Sequence, residues 1–469
     1  MQISSVPAKD KSAEDSEASA LSKTRGFRRH YLLVVLLFVY AMSMIDRHIM
    51  GVLIQPIKEE FGVSDSAMGL LTGLAFALFY SILAVPFGRL ADRSNRRNLV
   101  SYCCLAWSLA TALCGMALGF WSLVGARVAV AVGEAGGTAP SGSMIADVYP
   151  PEQRSRAMSI FMLGPHFGTL FGLGLGAWIA QNYGWRQAFL SLAIPGIVAA
   201  LLLRFTCSEP ERGAQQRDPY ALAEKAVGLV TERFGDVVLA LRKNAAFVGL
   251  GLASLLLAFA GYAIGMWNTS FLVRSHSLSL KDAGALMGIF GGGAAIIGAV
   301  LSGWLTDRMA KRSPGWQIGV PVLGVLASVP FGLYFYMAPA STPWAFGGLQ
   351  VPHSMPAYLV FAVLSSFWVA PTYAALTNVV PAKYLATALA IYNLLVTAAG
   401  GGLGPLTAGM LSDALSGLAG VESLRWALVC MLAFYLVAVA AYALTLKSYV
   451  HQIRTGQSGS VAGACSECT

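Results

Sequence analysis

The sequence predicts an all-α integral membrane protein whose twelve transmembrane helices form two pseudo-symmetric bundles of six. Three observations lead to this fold class. Hydrophobic residues make up 56% of the 469-residue chain and charged residues only 12%, whereas soluble domains carry about 25% charged residues. Apolar stretches of roughly 20 residues, the length that crosses a bilayer, recur along the chain. A polar segment divides these stretches into two groups, and one motif occurs at the same place in both.

The predicted helices lie between two polar tails. Their ranges are 31–54, 67–89, 99–119, 121–145, 155–180, 185–205, 244–273, 283–304, 318–338, 356–379, 385–411 and 423–446. The domain organisation that follows is a cytoplasmic amino-terminal tail at 1–30, a first bundle at 31–205, a cytoplasmic linker at 206–243, a second bundle at 244–446 and a cytoplasmic tail at 447–469. Roughly helical spacing is kept in the linker by Leu222, Val227, Val230 and Phe234. We therefore expect either an amphipathic helix along the inner membrane face or a plain tether.

Positive charge is distributed unevenly between the two sides of the predicted membrane. Most of the 32 lysine and arginine residues fall in the tails, the linker and the loops on the side of the amino terminus, and the positive-inside rule makes that side cytoplasmic. The other side receives Lys58, Arg186, Arg274, Lys281 and Arg425. We therefore expect both termini in the cytoplasm and a multi-pass protein of the inner (plasma) membrane. This asymmetry, rather than a nucleic-acid-binding patch, explains the net charge of +9.

The two halves of the sequence repeat each other. "GRLADRSNRR" at 88–97 follows the second predicted helix, and "GWLTDRMAKR" at 303–312 follows the eighth. Both read G-x-L-x-D-R-x-x-(R/K)-R. The fifth helix of each half is rich in glycine, at 164–180 and at 400–413, and small residues let transmembrane helices approach closely. Duplicated halves with a substrate path between them are typical of secondary transporters.

These paired loops resemble the signature loop of the major facilitator superfamily, and the resemblance covers the whole chain except its tails. Asn95 stands where that loop usually has a glycine. Within the superfamily, Asp46-Arg47, "RVAVAVGEAG" at 127–136 and "IADVYPPEQRSRAMSI" at 145–160 resemble the spinster-like transporters. The pattern around Arg127 and Glu134 also occurs in facilitators that carry organic anions. The resemblance implies the major facilitator fold and transport by alternating access.

The resemblance also implies a role for the repeated loops as a latch on the cytoplasmic side. Its aspartate meets the positive end of a helix from the opposite half, and its arginines pair with carboxylates. Simple anchoring of the topology by positive charge is the alternative, but it leaves the repeated glycine and aspartate unexplained. The candidate latch residues are Gly88, Asp92, Arg93, Arg96, Arg97, Asp307 and Arg308.

Four charged residues lie more than one helical turn inside the predicted helices of the first bundle. A charge at the bilayer centre costs roughly 2.5–3.5 kcal/mol on insertion scales. Arg127 and Glu134 are two helical turns apart and share one face of their helix, and Asp46-Arg47 lies in the first helix. We expect these four residues to form one buried cluster, with Asp46 and Glu134 as proton carriers and with Arg47 and Arg127 as contacts for an anionic substrate. A static network of buried ion pairs is the alternative.

The centres of the predicted helices in the second half contain no charged residue. A cavity that is charged on one wall and aromatic on the other suits an amphipathic molecule with an anionic head, and the resemblance implies substrates of the sphingolipid or lysolipid type. The alternative is that these residues only pack the bundle or lie at the membrane interfaces. The candidate substrate contacts in this half are Tyr262, Trp267, Asn268, Trp368, Tyr373, Tyr392 and Asn393.

Three classes of function are consistent with the sequence. The first is a proton-coupled secondary transporter of an amphipathic or lipid-like organic anion, and the second is such a transporter for a small water-soluble carboxylate. The third is a non-transporting membrane protein, such as an enzyme, a channel or a receptor. The sequence has no H-E-x-x-H motif and no P-loop, and G-x-S-x-G with partner residues is also missing, which argues against an enzyme.

The expected partners are therefore a small amphipathic substrate, protons and membrane lipids, with no cofactor, metal or nucleic acid, and we expect a monomer. Cys465 and Cys468 form a C-x-x-C pair in the carboxyl-terminal tail. A structural zinc site needs about four ligands, and the neighbouring sequence supplies no others. We interpret the pair as reduced thiols.

Overall fold

The computed structural model describes residues 11–213, 234–340, 343–381 and 384–466. The first half contains six membrane helices, two of them in two parts. They are α1 (Lys11–Phe61), α2 (Asp65–Arg93), α3 (Arg96–Gly115), α4 (Phe120–Glu134 and Thr138–Val148), α5 (Pro151–Phe161 and Gly164–Tyr183) and α6 (Trp185–Thr206). One turn of α2, Leu70–Leu74, is π-helical.

The second half follows a short linker helix, Phe234–Lys243. Its membrane helices are α7 (Ala245–His276), α8 (Leu280–Ala310), α9 (Trp316–Met337), α10 (Met355–Ser365 and Val369–Val379), α11 (Leu385–Leu395 and Gly404–Ala419) and α12 (Ser423–Ser466). The π-helical segments Met287–Gly293 and Val396–Leu403 lie within α8 and α11. Two strands, β1 (Trp344–Phe346) and β2 (Leu349–Val351), pair as an antiparallel hairpin between α9 and α10.

The prediction of twelve membrane helices in two bundles is confirmed. Ten continuous helical runs in the described part of the chain are long and apolar enough to cross a membrane. Helix α4 is not one of them because a turn after Glu134 divides it into two short pieces. The run Thr387–Thr455 contains both α11 and α12, which only the short 3-10 turn Gly420–Glu422 separates.

Short polar side chains define where several helices begin. Ser64 caps α2 by accepting a hydrogen bond from the Ala67 amide. Asn95, which departs from the superfamily loop, accepts a bond of 2.8 Å from the amide of Asn98 and so caps α3. Asn244 does the same for α7. Such caps satisfy amides that the first turn of a helix leaves unpaired, so these residues set the ends of the membrane spans.

Glycines allow the two halves to meet at backbone distance. A Cβ on Gly73 of α2 would lie 2.5 Å from the carbonyl oxygen of Gly402 in α11, and one on Gly284 of α8 would lie 2.5 Å from that of Leu173 in α5. Any larger residue would push the helices apart. Helices α5 and α11, whose glycine content stood out in the sequence, therefore both lie at the boundary between the halves.

Several elements differ from the predicted boundaries, including α1, which begins at Lys11 rather than at residue 31. Helix α1 continues through Pro56 to Phe61 and α12 continues to Ser466, because apolar periodicity does not reveal how far a helix extends beyond the bilayer. The β-hairpin was not predicted. It turns at Gly347 and Gly348, both with positive φ, a geometry that glycine adopts without strain. The linker positions Leu222, Val227 and Val230 and the tail residue Cys468 lie outside the described residues.

Candidate functional site

An ion pair between α1 and α4 forms the centre of the candidate site. Arg47 donates through Nε to Oε2 of Glu134 at 2.6 Å, and Ser43 Oγ donates to the same oxygen at 3.0 Å. Glu134 is fully buried, whereas the side chain of Arg47 is 21% exposed. The pair therefore joins a carboxylate in the protein interior to a cation that is still accessible from outside the first bundle.

Aromatic rings surround the accessible side of Arg47. Its guanidinium carbon lies 4.4 Å from the ring centre of Tyr80 and 4.9 Å from that of Phe76, both on α2. Cation–π contacts of this kind contribute about 0.5–2 kcal/mol. The Tyr262 phenol of α7 lies close enough to Arg47 to interact with its charge. The Nη2 atom of Arg47 is buried and has no hydrogen-bond partner among the described residues, so one donor of the guanidinium is unpaired in this conformation.

Arg127 and Asp46 lie next to this pair. Arg127 is 1% exposed, and its Nη1 donates to the backbone oxygen of Asp46 at 3.1 Å. The Asp46 carboxyl is also buried and lies close to Thr111 and to the charge of Arg127. The structure thus brings the four predicted residues together, but not as one ring of ion pairs. Arg47 and Glu134 are in direct contact, whereas Arg127 holds the backbone of α1 at Asp46.

The candidate substrate contacts in the second half divide into buried and accessible residues. Trp267 is fully buried and donates through Nε1 to the Pro405 oxygen, and Asn268 lies between the hydroxyls of Tyr336 and Tyr358. Sequence periodicity could not reveal these internal partners, and neither Trp267 nor Asn268 is accessible to a substrate in this conformation. Tyr392 is likewise buried. The residues that remain accessible are Tyr262, Trp368, Tyr373 and Asn393, and Tyr373 donates to the Asn393 amide oxygen.

The loop between α2 and α3 lies on what we call the terminal face, the side of the bundle that carries the α2–α3, α4–α5 and α8–α9 connections. Arg96 is buried and forms ion pairs with Asp147 at 2.5 Å and with Glu209 at 2.9 Å. Arg97 donates to the Cys207 oxygen. Asp147 lies at the end of α4, and Cys207 and Glu209 lie at the start of the linker, so none of these three contacts reaches the second half.

The aspartates of the two predicted latches are accessible on this face. Asp92, Arg93, Asp307 and Arg308 are exposed, and Gly88 is half-buried. The backbone oxygen of Asp92 accepts a hydrogen bond from Arg212 at the start of the linker. The Asp92 and Asp307 carboxylates are therefore open to solvent in this conformation and remain free to make new contacts in another one.

A second charged network, which the sequence analysis did not identify, joins the halves on the face opposite the terminal face. Arg274 of α7 donates to both oxygens of Asp65 at 2.7 and 2.8 Å, and Lys58 reaches the same carboxylate at 2.6 Å. Asp65 is 2% exposed. Removing one partner of such a buried pair costs about 3–5 kcal/mol, so this network holds that side of the molecule closed.

Asp413 completes the closure by capping α2 from the other half. Its carboxylate accepts hydrogen bonds from the amides of Asp65 at 3.0 Å and Ser66 at 2.7 Å, where the helix dipole favours an anion. Asp413 ends the glycine-rich stretch 400–413, and Gly409, one turn earlier, packs on the backbone of Asp65. The signal in the sequence that could have revealed this cap is an aspartate one helical turn after a glycine, in a glycine-rich helix that lies at the boundary between the halves.

We expect Asp413→Ala to open the closed face. Charge-assisted hydrogen bonds contribute about 1.5–3 kcal/mol, so losing the cap should shift the population of conformations by roughly tenfold or more. Spin labels on Glu59→Cys and Leu418→Cys, both exposed, report the distance between the halves on this face, and the distribution should move to longer values. Ser416→Ala is the matched control because Ser416 bonds only the Asp413 carbonyl within its own helix. An unchanged distribution in Asp413→Ala would contradict the closing role.

Comparison with known proteins gives consistent results along the chain. Residues 36–405 match the family model described as the Major Facilitator Superfamily. An MFS-type efflux pump of Mycolicibacterium smegmatis is 29% identical over 91% of this chain and 95% of its own length. Protein spinster homolog 1 of Xenopus tropicalis is 31% identical over 66% of this chain and 60% of its own length, and the human protein of that name is 28% identical over 83% and 74%.

Solved structures agree with these sequence relatives. A bacterial homolog of the human lysosomal transporter Spinster, described as inward-facing and unoccupied, superposes with a TM-score of 0.79 at 28% identity over 91% of this chain and 98% of that one. A D-xylose–proton symporter has a TM-score of 0.65 at 18% identity over 88% of this chain and 97% of that one, a likeness of fold alone.

Proposed function

The chain belongs to the major facilitator superfamily, and from this premise we propose that it is a proton-coupled secondary transporter that moves an amphipathic organic anion by alternating access. The superfamily assignment and the similarity to spinster proteins confirm the resemblance seen in the sequence, and they make the chain a transporter rather than an enzyme. The proton coupling, the substrate and the direction of opening are argued below from the candidate site.

The observation that carries the proposal is the position of Arg47. Its Nε is occupied by the buried Glu134, its guanidinium lies against the rings of Phe76 and Tyr80, and its side chain as a whole is 21% exposed. An anion that reaches this side chain competes with Glu134 for the same guanidinium. A buried carboxylate without its cation is costly as a charge, so Glu134 takes up a proton when the anion binds. Substrate and proton are thereby linked through one arginine.

The charged networks on the two faces support alternating access. Asp65, Arg274 and Asp413 close the face opposite the termini, whereas Asp92 and Asp307 on the terminal face are solvent-exposed. We propose that the latch aspartates bind across the halves once the terminal face closes and that the Asp65 network then breaks. The charge asymmetry of the loops supports the further proposal that the open side and both termini lie in the cytoplasm and that the protein belongs to the inner (plasma) membrane.

The uncharged lining of the second half favours a substrate with an apolar body. Tyr262, Trp368 and Tyr373 contribute rings, while Arg47 provides a positive charge for the head group. The relatives named spinster agree with the sequence resemblance that implies substrates of the sphingolipid or lysolipid type. We propose a lysolipid or sphingolipid type of anion in preference to a small water-soluble carboxylate.

Thermal stabilisation of the detergent-purified protein tests the substrate class. Lysolipids, sphingoid bases and small carboxylates are compared as ligands, and a ligand at about 100 times its Kd stabilises the folded state by about 2.7 kcal/mol. We expect anionic lysolipids to raise the unfolding temperature by several degrees and their head groups alone to have no effect. Stabilisation by small carboxylates that have no hydrocarbon chain would instead support the second class of substrate, the small water-soluble carboxylates.

A further inference from the structure

A small hollow in the first bundle lies against Glu134, and Arg47 is not one of the residues that line it. Helices α1, α3, α4 and α5 enclose it, and its walls include Tyr40, Trp107, Glu134, Thr138 and Ser141. The space has room for about one water molecule. Thr138 and Ser141 lie in the first turn of the second piece of α4, after the turn that follows Glu134, so the polar wall of the hollow extends from the carboxylate toward the terminal face.

Two buried polar atoms of the residues that line this hollow lack partners in the part of the chain that the structure describes. Glu134 uses Oε2 for Arg47 and Ser43, but Oε1 accepts no hydrogen bond. Trp107, 1% exposed, has an indole Nε1–H that donates to no acceptor. Buried polar atoms are paired in nearly all native proteins, and an unmade bond costs about 1–3 kcal/mol.

We infer that this hollow holds a water molecule that accepts a hydrogen bond from Trp107 Nε1–H and donates one to Glu134 Oε1. The indole is only a donor and the ionised carboxylate only an acceptor, and a water molecule can serve both at once. A buried water needs two to four polar partners, and the neighbouring hydroxyls of Thr138, Ser141 and Tyr40 are the candidates for the remaining ones. Trp107 is thus a positioning residue for Glu134.

This water site gives the two oxygens of Glu134 separate environments. Oε2 faces Arg47 and, in the proposed function on which this step rests, responds to the substrate anion. Oε1 faces the water, which transfers one proton to the carboxylate while it receives one from the terminal-face side of the hollow, so that one proton moves in total. Protons and substrate then reach Glu134 by different routes, and substrate in the cavity does not block the proton.

Trp107→Phe tests the inference because the ring is retained and only the N–H donor is lost. An experimental map of the wild-type protein at a resolution that shows ordered water should contain density between Trp107 Nε1 and Glu134 Oε1, and the variant should lack it. In proteoliposomes, the variant should accumulate substrate about tenfold more slowly under a proton gradient, while substrate counterflow without a gradient stays within about twofold. A purely structural role for Trp107 would lower both rates together.

The matched control is Trp121→Phe, an exposed tryptophan at the start of α4, which should change neither rate. An empty hollow in the wild-type map would overturn the water site, and it does so whether or not the variant folds. Unchanged gradient-driven accumulation in Trp107→Phe would overturn the role of the water in proton delivery. If the wild-type protein itself shows no response to a proton gradient, the proposed function fails, whereas the density still decides the water site.

Discussion

Glu134→Gln should exchange substrate at close to the wild-type rate but lose proton-driven accumulation. The amide oxygen can still accept hydrogen bonds from Arg47 and Ser43, so the geometry of the binding site is retained. The neutral side chain cannot carry a proton, so binding of the substrate is no longer linked to protonation. In proteoliposomes with a pH gradient, the ratio of internal to external substrate should fall to about one, while counterflow changes by less than about threefold.

Two further carboxylates make this experiment specific. Glu60, exposed on the opposite face and bonded to Trp185 and Arg186, provides the control Glu60→Gln, which should transport normally. Asp46→Asn tests the second predicted proton carrier. Asp46 contacts Arg127 through its backbone oxygen, which the substitution leaves in place, so any loss of coupling in Asp46→Asn comes from the carboxyl group. Full accumulation in Glu134→Gln would show that Glu134 does not couple protons to transport.

Arg47→Ala should abolish both accumulation and exchange, a loss of about 100-fold or more. The substitution removes the proposed anion contact and leaves Glu134 buried without its cation, which costs about 3–5 kcal/mol. Arg47→Lys should recover only part of the activity because lysine lacks the planar fork and stacks less well on Tyr80 and Phe76. Substrate binding is measured by thermal shift and transport by counterflow in the same preparations.

The double variant Arg47→Ala/Glu134→Gln separates binding from stability. It contains no unpaired buried charge at this site, so its unfolding temperature should recover most of the loss seen in Arg47→Ala alone. Substrate binding should not recover, since the cation is still missing. Arg186→Ala, which removes a partly exposed cation paired with Glu60, is the control for loss of a positive charge. Wild-type counterflow in the double variant would exclude Arg47 as the anion contact.

The sequence was sufficient to predict the fold and part of the site. Bilayer thickness and the absence of water in the hydrocarbon region restrict the chain to helices of a narrow range of lengths, so composition and apolar length identify the spans directly. The high cost of intramembrane charge drew attention to Asp46, Arg47, Arg127 and Glu134, and the structure places them side by side. The same reasoning could not predict helix ends outside the bilayer or the hairpin at Gly347. Water can form hydrogen bonds with the backbone there, so neither length nor composition restricts the structure.

The sequence by itself therefore determined the set of membrane helices, their duplication and the small group of charges that cannot face lipid. All three follow from the free-energy cost of transferring a chain from water to hydrocarbon. Only the tertiary structure decided which charges touch. It paired Arg47 with Glu134, joined Asp65 to Arg274 and Asp413 across more than 200 residues of sequence, and buried Trp267 and Asn268. Hydrogen bonds and ion pairs depend on distances of about 3 Å, and only the packing of the two bundles brings residues from distant helices that close.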